Sequence, residues 1–399
     1  MASFDEFTQE SRIFRDRDVL SPHYVPDVLP FREHQLRELM SSLAPALAGK
    51  KPRNIFIYGK SGTGKTCSVK QVAKKFGEKA ADGKATIVYL NCRIHNKPYR
   101  VMDKVAKTLL AGFEKQGYGL PQIYEGLLKW AGEGRQLIII LDEIDMVKHL
   151  DELIYALTRA NDELERGGIS LIGISNSLIF KNELDPRSKS SLYERELLFP
   201  PYTASQLQTI LQQRAELGFR ANAFTSGAIN LAGAIAAQES GDARYALKIL
   251  SRAAEIAEEG NKDRITDAEV KAAREQVELD IVKEAIEKLP ENHQLVLYAV
   301  AKLSASGSKY SRLEGEGENG GYLFSGEIYE EYAQLSRKLR RPSKTARSYR
   351  SYLNDLEMLG LVTTIESGKG IRGHTKLIKL GHPPQEVMRI LSKMMEEGG

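Results

Sequence analysis

One short run narrows the folds open to this chain more than any other. The apolar segment Asn54–Tyr58 leads into Gly59-Lys60-Ser61-Gly62-Thr63-Gly64-Lys65-Thr66, and a helical pattern follows over Thr66–Phe76. This is G-x-x-x-x-G-K-T in a strand–loop–helix setting, the arrangement of a phosphate-binding loop. The glycines let backbone N–H groups wrap phosphates, and the helix N-terminus that follows favours their negative charge. Lys65 is placed to reach the β- and γ-phosphates, and the Thr66 hydroxyl to bind Mg2+. Gly59, Lys60, Ser61, Gly62, Thr63, Gly64, Lys65, Thr66 and the adjoining Cys67 are therefore candidate contacts to ATP or ADP.

The neighbouring sequence suits a parallel sheet. Thr86–Asn91, Leu137–Leu141 and Ser170–Ser175 join Asn54–Tyr58 as strand candidates, each dense enough in Ile, Val and Leu to be buried on both faces. Helical patterns at Thr66–Phe76, Arg100–Lys115 and Asp151–Glu165 alternate with them, as an α/β domain requires. The third strand runs into Asp142-Glu143. An acid at that tip can hold Mg2+, and Glu143 can polarise the water that attacks the γ-phosphorus. After Pro200-Pro201 the chain reads helical from Thr203 to Val277, and Leu279–Lys302 and Glu327–Leu339 read as further helices. A polar, Gly-rich insert, Ser304–Gly321, separates those last two. The 399 residues are thus expected to form three domains: 1–200, an α/β nucleotide-binding domain; 201–278, a helical domain; and 279–399, a C-terminal domain.

Charge singles out the last of these. The whole chain carries only +4, yet Arg337–Lys379 holds eleven basic and three acidic residues, a net +8, so the remainder sums to −4. Such a cluster on a mildly acidic body is the usual footprint of nucleic-acid binding; a solvated helix face with a charged loop is the plainer alternative. Within it, Glu327–Leu339, a turn, and a helix expected over Ser343–Leu359 read as a helix-turn-helix. Leu361–Ile365 and Lys376–Leu380 read as a hairpin with a basic, Gly-rich tip. The second helix is basic and hydroxylated at its start, where groove-reading helices meet base edges, through Ser343, Lys344, Thr345, Arg347, Ser348 and Arg350. Lys369 and Arg372 at the hairpin tip could meet phosphates or a minor groove. A winged helix used for protein contacts remains the competing reading.

The two cysteines, Cys67 and Cys92, can support neither a disulfide framework nor a four-ligand zinc site, which favours a reducing, cytoplasmic setting. The start, MASFDEFTQESRIFRDRD, lacks the apolar stretch of a signal peptide, and no apolar run approaches the ~18–20 residues that span a bilayer, so no membrane partner is expected.

The order of motifs resembles that of AAA+ ATPases. The phosphate loop is followed by Leu141-Asp142-Glu143-Ile144-Asp145, by Ser175-Asn176 after the next strand, and by Gly241-Asp242-Ala243-Arg244 in the helical region. The resemblance implies that Asn176 orients the attacking water and that Arg244 reaches the γ-phosphate from the lid. Ile13-Phe14-Arg15, Pro22-His23-Tyr24-Val25-Pro26, Leu29-Pro30-Phe31-Arg32-Glu33, Leu184–Leu192 and Phe199-Pro200-Pro201-Tyr202 narrow it further. Together they resemble the archaeal origin-recognition proteins, AAA+ replication initiators, over nearly the whole chain. The implied fold is α/β: an AAA+ core with a parallel sheet, a helical lid and a C-terminal winged helix. Tyr24, Val25 and Pro26 would pack on adenine, with Arg32 beside the nucleotide. Arg187 would be the arginine finger for a neighbouring initiator subunit, although Ser190-Ser191 stands where related ATPases often carry Ser-Arg. His374 stands where the family's wing often has Arg, and a further DNA contact is implied within about Val105–Lys129. By resemblance the partners are double-stranded origin DNA, the replicative helicase and other initiator subunits, with slow ATP hydrolysis acting as a switch. A nucleotide-responsive transcription regulator is the alternative. A clamp-loader subunit is disfavoured by the winged helix and by the missing Ser-Arg-Cys.

Overall fold

A computed structural model describes residues 11–80, 83–113, 117–177, 179–180, 183–192, 194–307, 322–366 and 376–397, in two compact units, Met1–Ala273 and Arg274–Gly399. The first unit begins with α1 (Glu33–Leu47), β1 (Ile55–Tyr58), α2 (Lys65–Lys79), β2 (Ala85–Asn91), α3 (Pro98–Leu109) and α4 (Leu120–Gly132). It continues with β3 (Gln136–Asp142), α5 (Leu150–Arg159), β4 (Gly168–Ser175), α6 (Pro186–Leu192) and β5 (Arg195–Leu198). All five strands are parallel, in the order β2-β3-β4-β1-β5. Every residue of β3 and β4 is buried, which their near-continuous apolar runs require of strands covered on both faces. Side chains along β3 alternate between two cores. Leu137, Ile139 and Leu141 enter the one built with α3, α4 and α5, while Ile138 and Ile140 enter the one built with α1 and α2.

The sheet order decides where chemistry can happen. β4 lies between β1 and β3, so the phosphate loop, Asn176 and Asp142 all leave the carboxyl edge from adjacent strands. Open α/β sheets bind their ligands at that edge.

The lid comprises α7 (Ala204–Gly218), α8 (Ser226–Glu239), α9 (Ala243–Glu259) and the first part of α10 (Asp267–Glu287). Its starts are written locally: the Thr203 hydroxyl accepts from Gln206 N–H, Thr225 from Ala228 N–H, and the Asp242 carboxylate from Arg244 and Tyr245 N–H.

The second unit holds the remainder of α10 with α11 (Glu291–Ser306), β6 (Leu323–Phe324), α12 (Ser325–Lys338) and α13 (Ala346–Met358). After these come β7 (Val362–Glu366), β8 (Lys376–Leu380) and α14 (Pro384–Glu397). The strands form an antiparallel sheet ordered β6-β8-β7, which with α12 and α13 makes a winged helix. Three expectations change here. The single helix expected over Leu279–Lys302 is two, because Pro290 forces its predecessor out of helical geometry and then caps α11. The groove-reading helix begins at Ala346 rather than Ser343, since Thr345 supplies the cap by accepting from Ser348 N–H. In the first unit, the helices expected to reach Lys115 and Glu165 stop at Leu109 and Arg159. Among the described residues, no helix is long and apolar enough to cross a membrane.

Candidate nucleotide site and nucleic-acid interface

The phosphate loop is shaped by what packs around it. Gly62 and Gly64 have φ of 68° and 88°, a region L side chains rarely adopt. A Cβ on Gly62 would collide with the Asp242 carboxylate of the lid, and one on Gly64 would stand 2.7 Å from the Tyr202 hydroxyl. Gly62 C=O also accepts from Ala243 N–H at 3.2 Å, so the lid touches the loop directly. Gly64 caps α2 without a side-chain bond, which leaves that helix's first N–H groups turned to the loop.

Lys65 is 5% exposed, and its Nζ donates to the Gly59 and Lys60 carbonyls at 2.7 Å each. Burial, reinforced by nearby Arg244, lowers its pKa to about 8. Restoring a full positive charge there favours an anion across the loop. ATP binding should therefore take up a proton just above pH 8, where free Lys65 has begun to lose its charge and phosphate-bound Lys65 has not. Affinity should accordingly fall as pH rises through that range. Calorimetry in buffers of differing ionisation enthalpy reads the uptake; proton release there would contradict it.

Thr66 Oγ1 donates to Asp142 Oδ2 at 2.8 Å, and the Tyr89 hydroxyl donates to the same oxygen at 2.6 Å. One hydroxyl and one carboxylate, side by side below a loop built for phosphates, suit Mg2+, which usually takes one or two protein oxygens plus phosphate oxygens. Glu143 follows in left-handed backbone conformation (φ 57°) and forms an ion pair with Arg93, in the turn after β2. Burial and the neighbouring acids Asp142, Asp145 and Glu143 push the Cys92 thiol up to about 12, so it stays an inert core thiol.

Two clefts meet at this loop. A polar one of about 270 Å3 is lined by Gly62, Thr63, Gly64, Lys65, Thr66, Asp142, Glu143, Asn176 and Arg244. A larger one of about 590 Å3 shares Gly62, Gly64, Thr66 and Arg244 with it, and adds Cys67, Tyr24, Pro26, Tyr202 and Arg214. Val25, Gly59, Lys60 and Ser61 line neither. Arg32, expected beside the nucleotide, lines neither cleft. It is 2% exposed, donates to the carbonyls of Thr63 (2.9 Å), Phe31 (2.9 Å) and Pro200 (2.6 Å), and lies 3.8 Å from the Tyr202 ring centroid. It braces the loop from behind. Arg187 is exposed on the first turn of α6, apart from both clefts. Sequence reading passes over Tyr89, Arg93 and Arg214, because nothing in local spacing ties them to the motifs they touch; Tyr202 enters it only as part of a motif, with no role at the nucleotide site.

On the winged helix, Tyr349, Leu353 and Leu356 of α13 are buried, and Arg347 and Arg350 are exposed. Lys344 and Ser343 are exposed in the turn before it. That turn is fixed by tyrosines: Lys344 N–H donates to the Tyr332 hydroxyl, and Lys344 C=O accepts from the Tyr329 hydroxyl, both at 3.1 Å. Thr345 and Ser348 are occupied with the helix cap. Arg341 pairs with Glu291, and Lys376 donates to Asn354 at 3.0 Å, so neither is an uncommitted surface cation. Lys369, Arg372 and His374 lie outside the described residues.

An acid-tipped strand and an Asn-tipped strand beside a phosphate loop, closed by a helical lid that carries an arginine, place this chain among the AAA+ ATPases. Its segments match family models for an AAA ATPase domain (28–172), a Cdc6 AAA+ ATPase-type lid domain (208–275) and a CDC6 C-terminal winged helix domain (284–390). ORC1-type DNA replication protein 1 of Archaeoglobus fulgidus is 39% identical over 401 residues, 100% of this chain and 94% of that protein. The Aeropyrum pernix protein of the same description is 40% identical over 391 residues, 96% of each. The structure of the Aeropyrum pernix ORC1 protein in complex with DNA superposes with a TM-score of 0.81 at 39% identity, covering 96% of this chain and 98% of that one. The chain belongs to the ORC1-type DNA replication protein family.

Proposed function

We propose that this protein is an ATP-controlled replication initiator that binds double-stranded origin DNA and helps to recruit or load the replicative helicase. The observation that carries this reading is one chain holding both a nucleotide site and an exposed basic helix start, with about 39% identity running through both to a relative solved on DNA. Domain roles follow the same division: residues 1–200 and 201–278 handle nucleotide as core and lid, and 279–399 meet DNA.

In this reading Tyr24 and Pro26 receive adenine, and the loop from Gly59 to Thr66 receives the phosphates. Lys65 would neutralise the β- and γ-oxygens, and Thr66 and Asp142 would hold Mg2+. The metal, when bound, offsets charge on the transferring phosphoryl group. Asn176 orients a water, and Glu143 takes its proton as the water oxygen bonds to the γ-phosphorus and the bond to the ADP oxygen breaks. Arg244 senses the γ-phosphate from the lid. Arg187, exposed and away from its own clefts, acts on the nucleotide of an adjoining initiator subunit. Hydrolysis is slow, because a switch must dwell in its ATP form. Mapping of the protein along the chromosome tests the function: occupancy should centre on sites where replication begins, and occupancy confined to promoters would favour the regulator instead.

On DNA, Lys344, Arg347 and Arg350 are the contacts from the helix start. Arg350→Ala should weaken binding across sequences and reduce the slope of log K against log salt by about one unit, because one phosphate then keeps its counterion. Titrations at several salt concentrations measure this; an unchanged slope means that Arg350 faces elsewhere.

A further inference from the structure

The base end of the larger cleft is built from a segment anchored in two different places. Upstream of Tyr24 the chain is fastened to the lid. Phe14 bridges to Phe219 with ring centroids 5.5 Å apart, Arg15 and Asp16 N–H donate to Gly218 C=O at 2.8 and 3.0 Å, and Arg220 N–H donates to Ile13 C=O at 2.8 Å. Arg17 adds an ion pair with Glu258 at 2.5 Å. Downstream of Tyr24 the chain is held mainly by the core, with one lid contact, from the Gln213 side-chain amide of α7 to Val28 C=O at 3.4 Å. Gln71 of α2 donates to the Pro26 and Asp27 carbonyls at 3.3 and 2.5 Å, and Arg32 grips Thr63. The first anchor to the core after the lid-held stretch falls on Pro26, two residues beyond Tyr24.

At that point stands Arg214, on lid helix α7 and 5% exposed. It donates to Val19 C=O at 2.8 Å and Tyr24 C=O at 3.3 Å, and its guanidinium lies 4.6 Å from the Tyr24 ring centroid. Arg214, Tyr24 and Pro26 line the same cleft. Burying a guanidinium is costly unless its donors are satisfied; here they are taken by the Val19 and Tyr24 carbonyls, and the guanidinium lies against the Tyr24 ring.

We propose that Arg214 is a positioning residue for the nucleotide base: it ties Tyr24 to the lid while Pro26 stays with the core, so base recognition follows lid position. This rests on the adenine-nucleotide reading above. Phosphate recognition is built on the loop after β1, the tips of β3 and β4, and Arg244 of α9, and Arg214 does not line that cleft.

Tripolyphosphate, which carries the phosphates without a base, separates the two. Full-length wild type, Arg214→Met and Arg214→Lys are titrated with ATP and with tripolyphosphate by calorimetry, with thermal melts to establish folding. ATP affinity should fall about tenfold in Arg214→Met, and less in Arg214→Lys, which keeps the charge but loses the planar fork. Tripolyphosphate affinity should stay within about twofold of wild type in both. Unchanged ATP affinity, or parallel loss of both ligands, overturns the proposal. Should Arg214→Met fail to fold, the ratio of the two affinities in Arg214→Lys decides. A wild type that binds neither ligand overturns the nucleotide reading and this proposal with it; a wild type that binds both while the variants show no base-specific loss overturns this proposal alone.

Discussion

Lys65→Ala is expected to lower ATP affinity by roughly two orders of magnitude, because it removes a buried, charge-assisted donor to the phosphates. The loop should survive the change. Its shape is held elsewhere, by Arg32 on Thr63 C=O, by Ala243 N–H on Gly62 C=O, and by the Thr63 hydroxyl on Lys60 C=O. What disappears is the cation that now rests on the Gly59 and Lys60 carbonyls. Calorimetric titration with ATP, beside a thermal melt without it, separates a binding defect from a folding defect. ATP affinity within about threefold of wild type would mean that Lys65 serves the loop and not the ligand.

Glu143→Gln should do the opposite. The side chain keeps its size and can still accept from Arg93, yet it can no longer take a proton from water. ATP affinity should stay within about threefold, while single-turnover hydrolysis falls by about 10²–10⁴, the usual worth of a positioned general base. Thr66 and Asp142 are untouched, so metal binding should persist. Hydrolysis within about tenfold of wild type would remove Glu143 from the proton-accepting role and leave its pairing with Arg93 as its only evident task.

The parts of this site that are legible in sequence are those that chain neighbours create. A phosphate loop is defined by consecutive residues, and β1, β3 and β4 announce themselves as buried apolar runs. Asn176 and Asp142 can be placed at strand tips from those runs alone. The edge strand β5, Arg-Glu-Leu-Leu, is short and half charged, so no apolar run reveals it. Contacts made across long separations are equally hidden. Arg93 meets Glu143 across 50 residues, and Arg214 meets Tyr24 across 190. Neither pair has a spacing that could be read. The helix start in the winged unit is legible only to within three residues, because Ser343 and Thr345 are both good caps. The tyrosine hydroxyls that hold Lys344 in the turn settle the choice for Thr345. Arg32 is hidden for a different reason. Its neighbourhood is readable, but its direction is not, and its guanidinium is taken up by three backbone carbonyls.

Near-neutral overall charge conceals the division between a −4 body that handles nucleotide and a +8 segment suited to DNA. In the proposed function the first governs the second. A footprint of the full-length protein on genomic DNA, run side by side with ATP, with ADP and without nucleotide, tests this most directly, with Lys65→Ala as the control. Protection should fall on discrete, repeated sites, should differ between ATP and ADP, and should lose that difference in Lys65→Ala. Uniform protection without preferred sites, or identical protection under all three conditions, would contradict it.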